Sequence, residues 1–566
     1  MPATLDETYE RTLQEIKETK WESAQQLLVC VTVASRPLRV EELAEILAFD
    51  FKSEAIPKFR KDWRLKYPVE AILSACSTLL SVVNIGTSSE RSRVVQFSHF
   101  TVKEFLTSSR FAEKYDNISR RYHISMSAAH TFVAQACLSV LLHLDKNITS
   151  QNLMEFPLAK YAAQHWFEHA RFEGVSQDAV EGTKQLFDRN KPHFSIWLWI
   201  HDPTVPFWKR CKQPEGPSPP CGTPLHYAAF CGLHNIAMIL AIEHPQGVNS
   251  QSFDDASSPL HLALRMGYLD IARMLVEHGA DVSAQAEAGL SVLHSAVENG
   301  HGDFARMLVE RGTDVSAQDK SGWNVLHMAS RFGYVDLARI LVERGADVSA
   351  KTENGWTALY LTCYDGHVYL ARMLVERGAD VSAQCDEGRT ALHEASHRGH
   401  VDLARMLIEC GADVSAQGDD GRTALHLSLE NDHVDLAQML VECGAGASTQ
   451  DGSGSTALHL ASRNGHVTLA RMLMERGADV SAQDGNRWTA LHFASCNGHV
   501  DLARILVERG ADVSAQTEHG WTALYLASEN GHAGLARMLV GHSTDTAPQA
   551  TPQITTTTTC VRVHAK

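Results

Sequence analysis

Several motifs that mark enzymes, and long apolar segments, are missing from this sequence of 566 residues. It contains no Gly-Lys dipeptide, which excludes a phosphate-binding P-loop of the GxxxxGK(S/T) type. It contains no Gly-x-Ser-x-Gly nucleophile motif, and no run of about 18 apolar residues that would predict a membrane-spanning helix. We therefore expect no membrane span, no cofactor and no small-molecule substrate.

Cysteine pairs with the spacing of a metal or redox site are also absent. The 12 cysteines are scattered and include no Cys-x-x-Cys pair, so we expect free thiols and neither a metal site nor a disulfide framework. The first residues are acidic and polar and do not resemble a signal peptide. The predicted location is the cytoplasm, with the nucleus as the alternative.

Basic residues are too few for nucleic-acid binding. The formal net charge is −16, and residues 222–545 alone contain 41 acidic and 22 basic side chains. This region repels phosphates, so a protein with a neutral or basic surface is the expected partner. The run Lys58–Lys66 is basic with interleaved aromatics, but residues 36–110 hold 12 basic and 9 acidic side chains, too balanced for a DNA footprint.

What the sequence does contain is a repeat of 33 residues. A nearly invariant phrase, as at Ala338–Ala350, recurs through the C-terminal half, and a fixed period of this length indicates a stacked array. The glycine of that phrase stands at Gly279, Gly312, Gly345, Gly378, Gly411, Gly444, Gly477 and Gly510.

Each unit is predicted to form a turn, a short helix, a second turn and a longer helix. In the unit that begins at Thr352, Gly355 suits a tight turn with positive φ, and Thr357 is a plausible N-cap of the first helix. The apolar spacing of Val368–Arg377 predicts the second helix, which Gly378 ends.

The segment Thr223–Ala229, TPLHYAA, and the recurring Gly-Ala-Asp-Val resemble the ankyrin repeat. The resemblance predicts about ten units over 222–540, each with a histidine or tyrosine in the box position. These are His226, His261, His294, His327, Tyr360, His393, His426, His459, His492 and Tyr525.

Two units depart from the glycine pattern. Asp432 and Arg487 stand where sister units carry glycine. A side chain there costs on the order of 1 kcal/mol if the positive φ is kept, so we expect these units to be weaker than their neighbours.

The first 200 residues lack the repeat. Helices are predicted to Thr19, over Trp21–Ser35 and over Val40–Leu47, and strands over Leu80–Ile85 and Val94–Phe97. Helices followed by a two-stranded wing indicate a winged-helix module. The predicted division is a winged-helix module over 1–110, a helical domain over 111–203, a Pro-rich linker over 204–221, the array over 222–540 and a disordered Thr-rich tail over 541–566.

Arg36–Glu45 and Gln96–Leu106 resemble the winged helix named after GPI inositol-deacylase. In fungal STAND receptors this module follows the nucleotide-binding NACHT domain, and such receptors commonly end in ankyrin repeats. Because the P-loop is missing, ATP hydrolysis is not carried over from the resemblance.

Histidines in equivalent repeat slots lie on the order of 10 Å apart, too far to share a metal, so we interpret them as structural. Binding residues are sought where the units differ, at the turn tips and first-helix ends, which line the concave face of ankyrin arrays. Exposed Trp and Arg side chains contribute most of the binding energy at protein interfaces. The residues predicted to bind protein are Trp323, Arg331, Phe332, Trp356, Tyr364, Arg389, Arg398, Arg422, Arg463, Trp488 and Trp521.

The sequence thus predicts a mainly α protein: a winged-helix and helical region followed by an ankyrin-repeat α-solenoid. The predicted function is a non-enzymatic protein-binding scaffold or recognition protein, with fungal non-self or stress sensing as its suggested setting. Two alternatives stay open. One is a truncated or regulatory fragment of a NACHT-type signalling NTPase, and the other is a hydrolase activity in the N-terminal half.

Overall fold

The computed structural model describes residues 5–52, 56–76, 78–85, 92–114, 116–175, 177–205, 216–217, 219–252 and 254–543. The chain divides into two compact units, Met1–Leu308 and Val309–Lys566. Residues 1–4 lie outside the described residues, as do most of the expected linker over 204–221 and the tail from 544 onward.

The first unit begins with the expected winged helix. Strand β1 (Leu38–Arg39) pairs antiparallel with β5 (Ser92–Phe97), and β5 pairs antiparallel with β4 (Leu80–Ile85), in the order β1-β5-β4. The predicted wing strands are confirmed, while the two-residue β1 was not foreseen. The elements are α1 (Leu5–Gln14), α2 (Trp21–Val33), β1 (Leu38–Arg39), α3 (Val40–Ile46), β2 (Phe49–Asp50), β3 (Lys58–Phe59), α4 (Pro68–Cys76), β4 (Leu80–Ile85) and β5 (Ser92–Phe97).

The fully buried carboxylate of Glu42 stabilises the N-terminal end of α3. Glu42 accepts hydrogen bonds from the two terminal guanidinium nitrogens of Arg36, at 2.7 and 2.8 Å, and from the Nε and backbone N–H groups of Arg39, each at 2.8 Å. Burial alone would raise the pKa of Glu42, but these hydrogen bonds and positive charges outweigh it, so the pKa lies below its usual value. The charge is therefore satisfied inside the fold.

An arginine of the basic run Lys58–Lys66 makes structural contacts inside this unit. Arg64 pairs with the buried Glu45 and donates to the carbonyl oxygen of Glu155 at 2.6 Å. The carboxylate of Glu45 in turn accepts the backbone N–H of Leu158 at 2.7 Å. The run therefore joins the winged helix to the helical region.

The helical region packs around a core of large aromatic side chains. The rings of Trp166 and Trp197, both fully buried, meet edge to face with centroids 5.3 Å apart, and the Trp197 indole donates to the Ala163 carbonyl. The helices are α5 (Thr101–Leu106), α6 (Ser109–Ala112), α7 (Asn117–Tyr122), α8 (Met126–His143), α9 (Ala159–Ala170), α10 (Gln177–Leu186) and α11 (His193–Ile200).

Within the described residues, one helical segment, Asn117–His143, is long and apolar enough to cross a bilayer. In the most apolar 18-residue stretch of this segment, 56% is buried inside the fold. Helix α8, which makes up most of the segment, packs against α2, α9 and α10. Core helices of folded domains share this composition. The expected absence of a membrane span stays a prediction.

The first repeats belong to the same compact unit as the helical region. The Tyr227 ring lies 5.4 Å from Phe194 and 6.0 Å from Trp197, and its hydroxyl donates to Asp202. One core is therefore shared between them. The repeat helices here are α12 (Pro224–Cys231), α13 (His234–Glu243), α14 (Pro259–Arg265), α15 (Leu269–Glu277), α16 (Val292–Glu298) and α17 (Gly302–Glu310).

The second unit consists of helix pairs with the predicted two-helix pattern. Their cores repeat the same buried Leu and Ala positions, as at Leu341, Leu374 and Leu407. The helices are α18 (Val325–Phe332), α19 (Val335–Glu343), α20 (Ala358–Asp365), α21 (Val368–Glu376), α22 (Ala391–Arg398), α23 (Val401–Glu409), α24 (Ala424–Glu430), α25 (Val434–Glu442), α26 (Ala457–Asn464), α27 (Val467–Glu475), α28 (Ala490–Cys496), α29 (Val500–Glu508), α30 (Ala523–Glu529) and α31 (Ala533–Ser543).

The box histidines connect each repeat to the next. His393 Nδ1 accepts the backbone N–H of Thr390 at 3.1 Å, so its Nε2–H donates to the carbonyl oxygen of Arg422 in the following unit, at 3.1 Å. A neutral ring satisfies both bonds, and burial lowers the pKa of His393. The same pair of bonds recurs at His426, His459 and His492. The structural interpretation of these histidines fits this geometry.

The predicted backbone conformations are confirmed. Thr357 caps α20 by accepting the N–H of Tyr360 at 3.2 Å, and Gly355 has φ of +73°. Asp432 and Arg487 keep the glycine conformation, with φ of +63° and +62°. Whether their units are weaker stays a prediction.

Candidate protein-binding surface

The hairpin tips of the second unit are held closed by their own side chains. Asp319 accepts the backbone N–H of Trp323 at 2.8 Å, and its N–H donates to the Trp323 carbonyl at 2.8 Å. Asp484 holds Trp488 in the same way, and Thr352 holds Trp356 through its hydroxyl. Each tip therefore presents its variable residue from a fixed backbone.

The tips and the ends of the first helices form one surface, which we call the tip surface. Arg422 of one tip pairs with Glu430 at the end of its own first helix, 3.2 Å apart. Arg331, at the end of α18, lies over the ring of Trp323 in its own tip. The two variable positions of a unit thus meet, as the resemblance to ankyrin arrays implied.

The tryptophans are less exposed than the sequence suggested. Trp521 is 38% exposed, whereas Trp323, Trp356 and Trp488 are half-buried. Trp323 meets Trp356 edge to face at 6.3 Å, and Trp356 stacks parallel to Tyr360 at 6.1 Å. Aromatic neighbours within the array therefore cover part of these rings.

Two arginines lie on aromatic rings at one end of the tip surface. The guanidinium of Arg331 is 5.8 Å from the Trp323 ring and 5.9 Å from the Tyr364 ring. Arg398 lies 3.7 Å from the Tyr364 ring and donates to Glu394 at 2.9 Å. We define the aromatic–arginine cluster as Trp323, Arg331, Phe332, Trp356, Tyr364 and Arg398.

Internal ion pairs occupy the middle of the tip surface. Arg389 lies 3.2 Å from Asp420, and Arg422 lies 3.5 Å from the same carboxylate. Arg463 is exposed and forms no ion pair within the described part of the chain. Partly exposed pairs contribute little to stability, so these residues mainly set the local charge pattern.

A second aromatic group lies near the last repeats. The rings of Trp488 and Phe493 are 4.9 Å apart, and Trp521 stacks on Tyr525 at 6.1 Å. Apart from Arg463, the predicted residues therefore fall into three groups along the surface: the aromatic–arginine cluster, the ion pairs around Asp420, and this second aromatic group.

Sequence reasoning missed the residues that support these groups. Tyr360, Glu394, Asp420 and Phe493 each contact a predicted site residue. One signal was available, because Tyr360 and Tyr525 each stand four residues after a tip tryptophan, and in both places the two rings stack across the start of the first helix.

Titratable groups also gather in the first unit, between α8 and α9. His169 is fully buried, with Nδ1 2.9 Å from His130 Nδ1 and Nε2 3.0 Å from the Tyr161 hydroxyl. Burial, with the nearby His130, lowers the pKa of His169 to about 3. The hydroxyl of Ser35 donates to Glu168 and not to a histidine.

No group of three or more His, Cys, Asp or Glu side chains in the described ranges has the arrangement of a metal site. The cysteines in those ranges form no disulfide bonds. Burial raises the pKa of Cys76 to about 12, which keeps this thiol protonated and unreactive.

Comparison with known families agrees with this geometry. A family model described as ankyrin repeats (3 copies) matches residues 207–286, 282–352, 347–418, 410–484 and 477–550. A model described as GPI inositol-deacylase, winged helix domain, matches residues 9–116. Both resemblances noted in the sequence are confirmed.

A curated relative was also found in Monascus ruber. It is named Azaphilone pigments biosynthesis cluster protein L and is 30% identical over 293 residues. The match covers 50% of this chain and 60% of the relative.

Proposed function

Since this chain belongs to the ankyrin-repeat family, we propose that it is a non-enzymatic scaffold that binds a protein partner through the tip surface. The supporting observation is the location of sequence differences. The second helices are nearly identical between units, whereas the residues that differ meet on the tips and first-helix ends. Arrays of this kind bind through such extended surfaces.

The partner we propose has a neutral or basic surface overall. Residues 222–545 have 41 acidic and 22 basic side chains, so strongly acidic proteins and nucleic acids are repelled at long range. The tip surface supplies tryptophan, tyrosine and arginine, the residue types that carry most of the binding energy in protein interfaces. No catalytic step is part of this proposal, and the proposed location is the cytoplasm.

Two biological settings are compatible with the proposal. The resemblance to fungal receptors suggests non-self or stress sensing. The name of the Monascus ruber relative associates that protein with a pigment biosynthesis cluster, which suggests assembly of biosynthetic proteins instead. In both settings the chain's task is to hold a partner.

The test compares two matched sets of substitutions in the full chain. The first set changes Trp323, Trp356, Trp488 and Trp521 to alanine. The control set changes four arginines that share one position on the second helices to alanine: Arg339, Arg372, Arg471 and Arg504. Partners captured from a proteome of the same organism are identified, and the affinity of the best partner is measured with each set.

We expect the tryptophan set to weaken binding, by up to about 2 kcal/mol per tryptophan that acts as a hot spot. Circular dichroism and hydrogen exchange must show that both sets stay folded, because three of these tryptophans are half-buried. A larger loss from the second-helix set would show that the partner binds elsewhere and would refute the proposal.

A second candidate rests on the winged-helix match over residues 9–116. Under this second candidate function, the chain is a truncated or regulatory part of a NACHT-type signalling NTPase. Sequencing the gene and its transcripts upstream of Met1 tests this. An in-frame P-loop there would favour the second candidate, and its absence would favour the scaffold.

A further inference from the structure

Arg331 differs from the other arginines of the aromatic–arginine cluster and the ion-pair group. Arg389, Arg398 and Arg422 each pair with a carboxylate of the chain. Arg331 is exposed and forms no ion pair with any described residue. Its guanidinium is instead positioned by the rings of Trp323 and Tyr364.

This arrangement leaves the hydrogen-bonding edges of Arg331 available. Rings attract the guanidinium through their electron-rich faces, whereas its five N–H donors point outward in its plane. The rings also restrict the side chain before any partner binds, which reduces the entropy lost on binding. A restrained guanidinium with unused donors suits a carboxylate, which accepts two parallel hydrogen bonds.

Exposed aromatic surface is available at Tyr364, one of the rings beside this guanidinium, and at Phe332, the next residue along the chain. Phe332 is 44% exposed and Tyr364 is 38% exposed, and the Phe332 ring is 5.9 Å from Tyr334. A side chain next to the partner's carboxylate would therefore meet aromatic surface that is exposed in the free chain.

Resting on the proposed protein-binding role of the tip surface, we propose that Arg331 and Phe332 bind a short partner segment with one carboxylate side chain beside an apolar one. The carboxylate pairs with Arg331, and the apolar side chain packs on Phe332 and Tyr364. The rest of the segment is neutral or basic, because the acidic array repels further carboxylates.

The chain contains a matched control. Arg339 lies in the same unit, on the second helix α19 and outside the tip surface. It is exposed, forms no ion pair with a described residue, and is not among the residues predicted to bind protein. Arg331→Gln and Arg339→Gln therefore remove the same charge from one unit, on and off the tip surface.

The experiment selects a phage-displayed library of random short peptides on the full chain and on both variants. For the unaltered chain and R339Q, we expect enrichment of peptides with Asp or Glu beside an aromatic or large aliphatic residue. For R331Q this enrichment should disappear. Selection of peptides without a carboxylate, or unchanged selection on R331Q, would overturn the inference.

The peptide most enriched on the unaltered chain is then synthesised, together with a version in which its carboxylate is replaced by the amide. We expect R331Q, or the amide peptide, to weaken binding by about tenfold, with no further loss when the two changes are combined. Additive losses would mean that the carboxylate binds elsewhere and would overturn the inference.

The two proposals fail in different ways. If the selected peptides lose binding with the four tryptophan substitutions but ignore Arg331, the tip surface binds protein and the carboxylate inference is wrong. If neither set of changes affects them, the proposed function fails as well. Circular dichroism on both variants confirms folding, which the exposed position of both arginines favours.

Discussion

The N-terminal region and the repeats of the second unit are stabilised in opposite ways. Residues 5–200 bury large aromatics such as Trp166 and Trp197, and an ionised carboxylate, Glu42. The repeats bury small Leu and Ala side chains and use the same histidine bond again and again. The first region depends on contacts that occur once, and the second on contacts that recur with each copy.

This difference determines how damage spreads. A lost contact in the N-terminal region has no equivalent elsewhere, so it should weaken that region as a whole. In the array, stability is a sum over units and their interfaces, so a lost contact should act mainly on its own and adjacent units. The predictions below test this contrast, from the largest expected effect to the smallest.

Replacing Trp197 by alanine should destabilise the first unit by about 4 kcal/mol, because it leaves a cavity beside Trp166. Hydrogen exchange resolved by mass spectrometry should show loss of protection throughout α8, α9 and α11. Trp521→Ala, at an exposed ring, is the control and should change protection only near the last repeat. A purely local effect of Trp197→Ala would contradict the contrast.

Glu42→Ala should cost about 3 kcal/mol, since it removes the buried partner of two arginines. The neighbouring Glu41 is half-exposed and lies 3.5 Å from Arg93, so Glu41→Ala should cost less than about 0.5 kcal/mol. Urea unfolding followed by exchange in α3 measures both. Equal effects would show that the buried charge adds nothing.

Arg487→Gly should stabilise its unit by about 1 kcal/mol, because glycine adopts the observed φ of +62° without strain. Gly465→Ala is the opposite test, since φ is +81° and the new Cβ would lie 2.6 Å from the His499 ring. It should destabilise by more than about 1 kcal/mol. Local exchange rates report both, and no gain from Arg487→Gly would refute the expected weakness of this unit.

Acid should loosen units with a box histidine more than the unit with Tyr360. Burial places the folded-state pKa of His393 below its ordinary value of 6.5. The stabilisation is therefore fully present above that value and is lost as the pH falls toward the folded-state pKa. Exchange in α22 and α20, corrected for intrinsic rates, should diverge as the pH drops below about 6.5. Equal loosening of both helices would contradict the prediction.

Local chemistry made much of the fold predictable. Thr357 caps a helix, and Gly355 forms a tight turn. Asp432 and Arg487 adopt positive φ because the repeat imposes the same backbone conformation on every unit. Such rules need only neighbouring residues or the equivalent position in another copy. The repeat boundaries and the wing strands follow from the same kind of information.

Contacts between distant residues were not predictable in this way. Strand β1 has two residues and exists because Leu38 pairs with Val95. The bridge from Arg64 to Glu155 joins segments 91 positions apart. At the candidate site, the sequence identified Trp323 and Arg331 separately, but their stacking depends on how the tip folds against the helix end.

The stacking contacts of the array also bear on how its gene can change. Nε2 of the box histidine His393 bonds the carbonyl oxygen of Arg422, 29 positions ahead. Nε2 of His433, in the turn between the two helices of its unit, bonds the carbonyl oxygen of His397, 36 positions back. The same offsets recur at His426 and His499. A recombination event that adds or removes one whole copy keeps the reading frame and restores these bonds across the new junction. A change in copy number therefore preserves the stacking bonds, and it changes the order of tips that a partner meets.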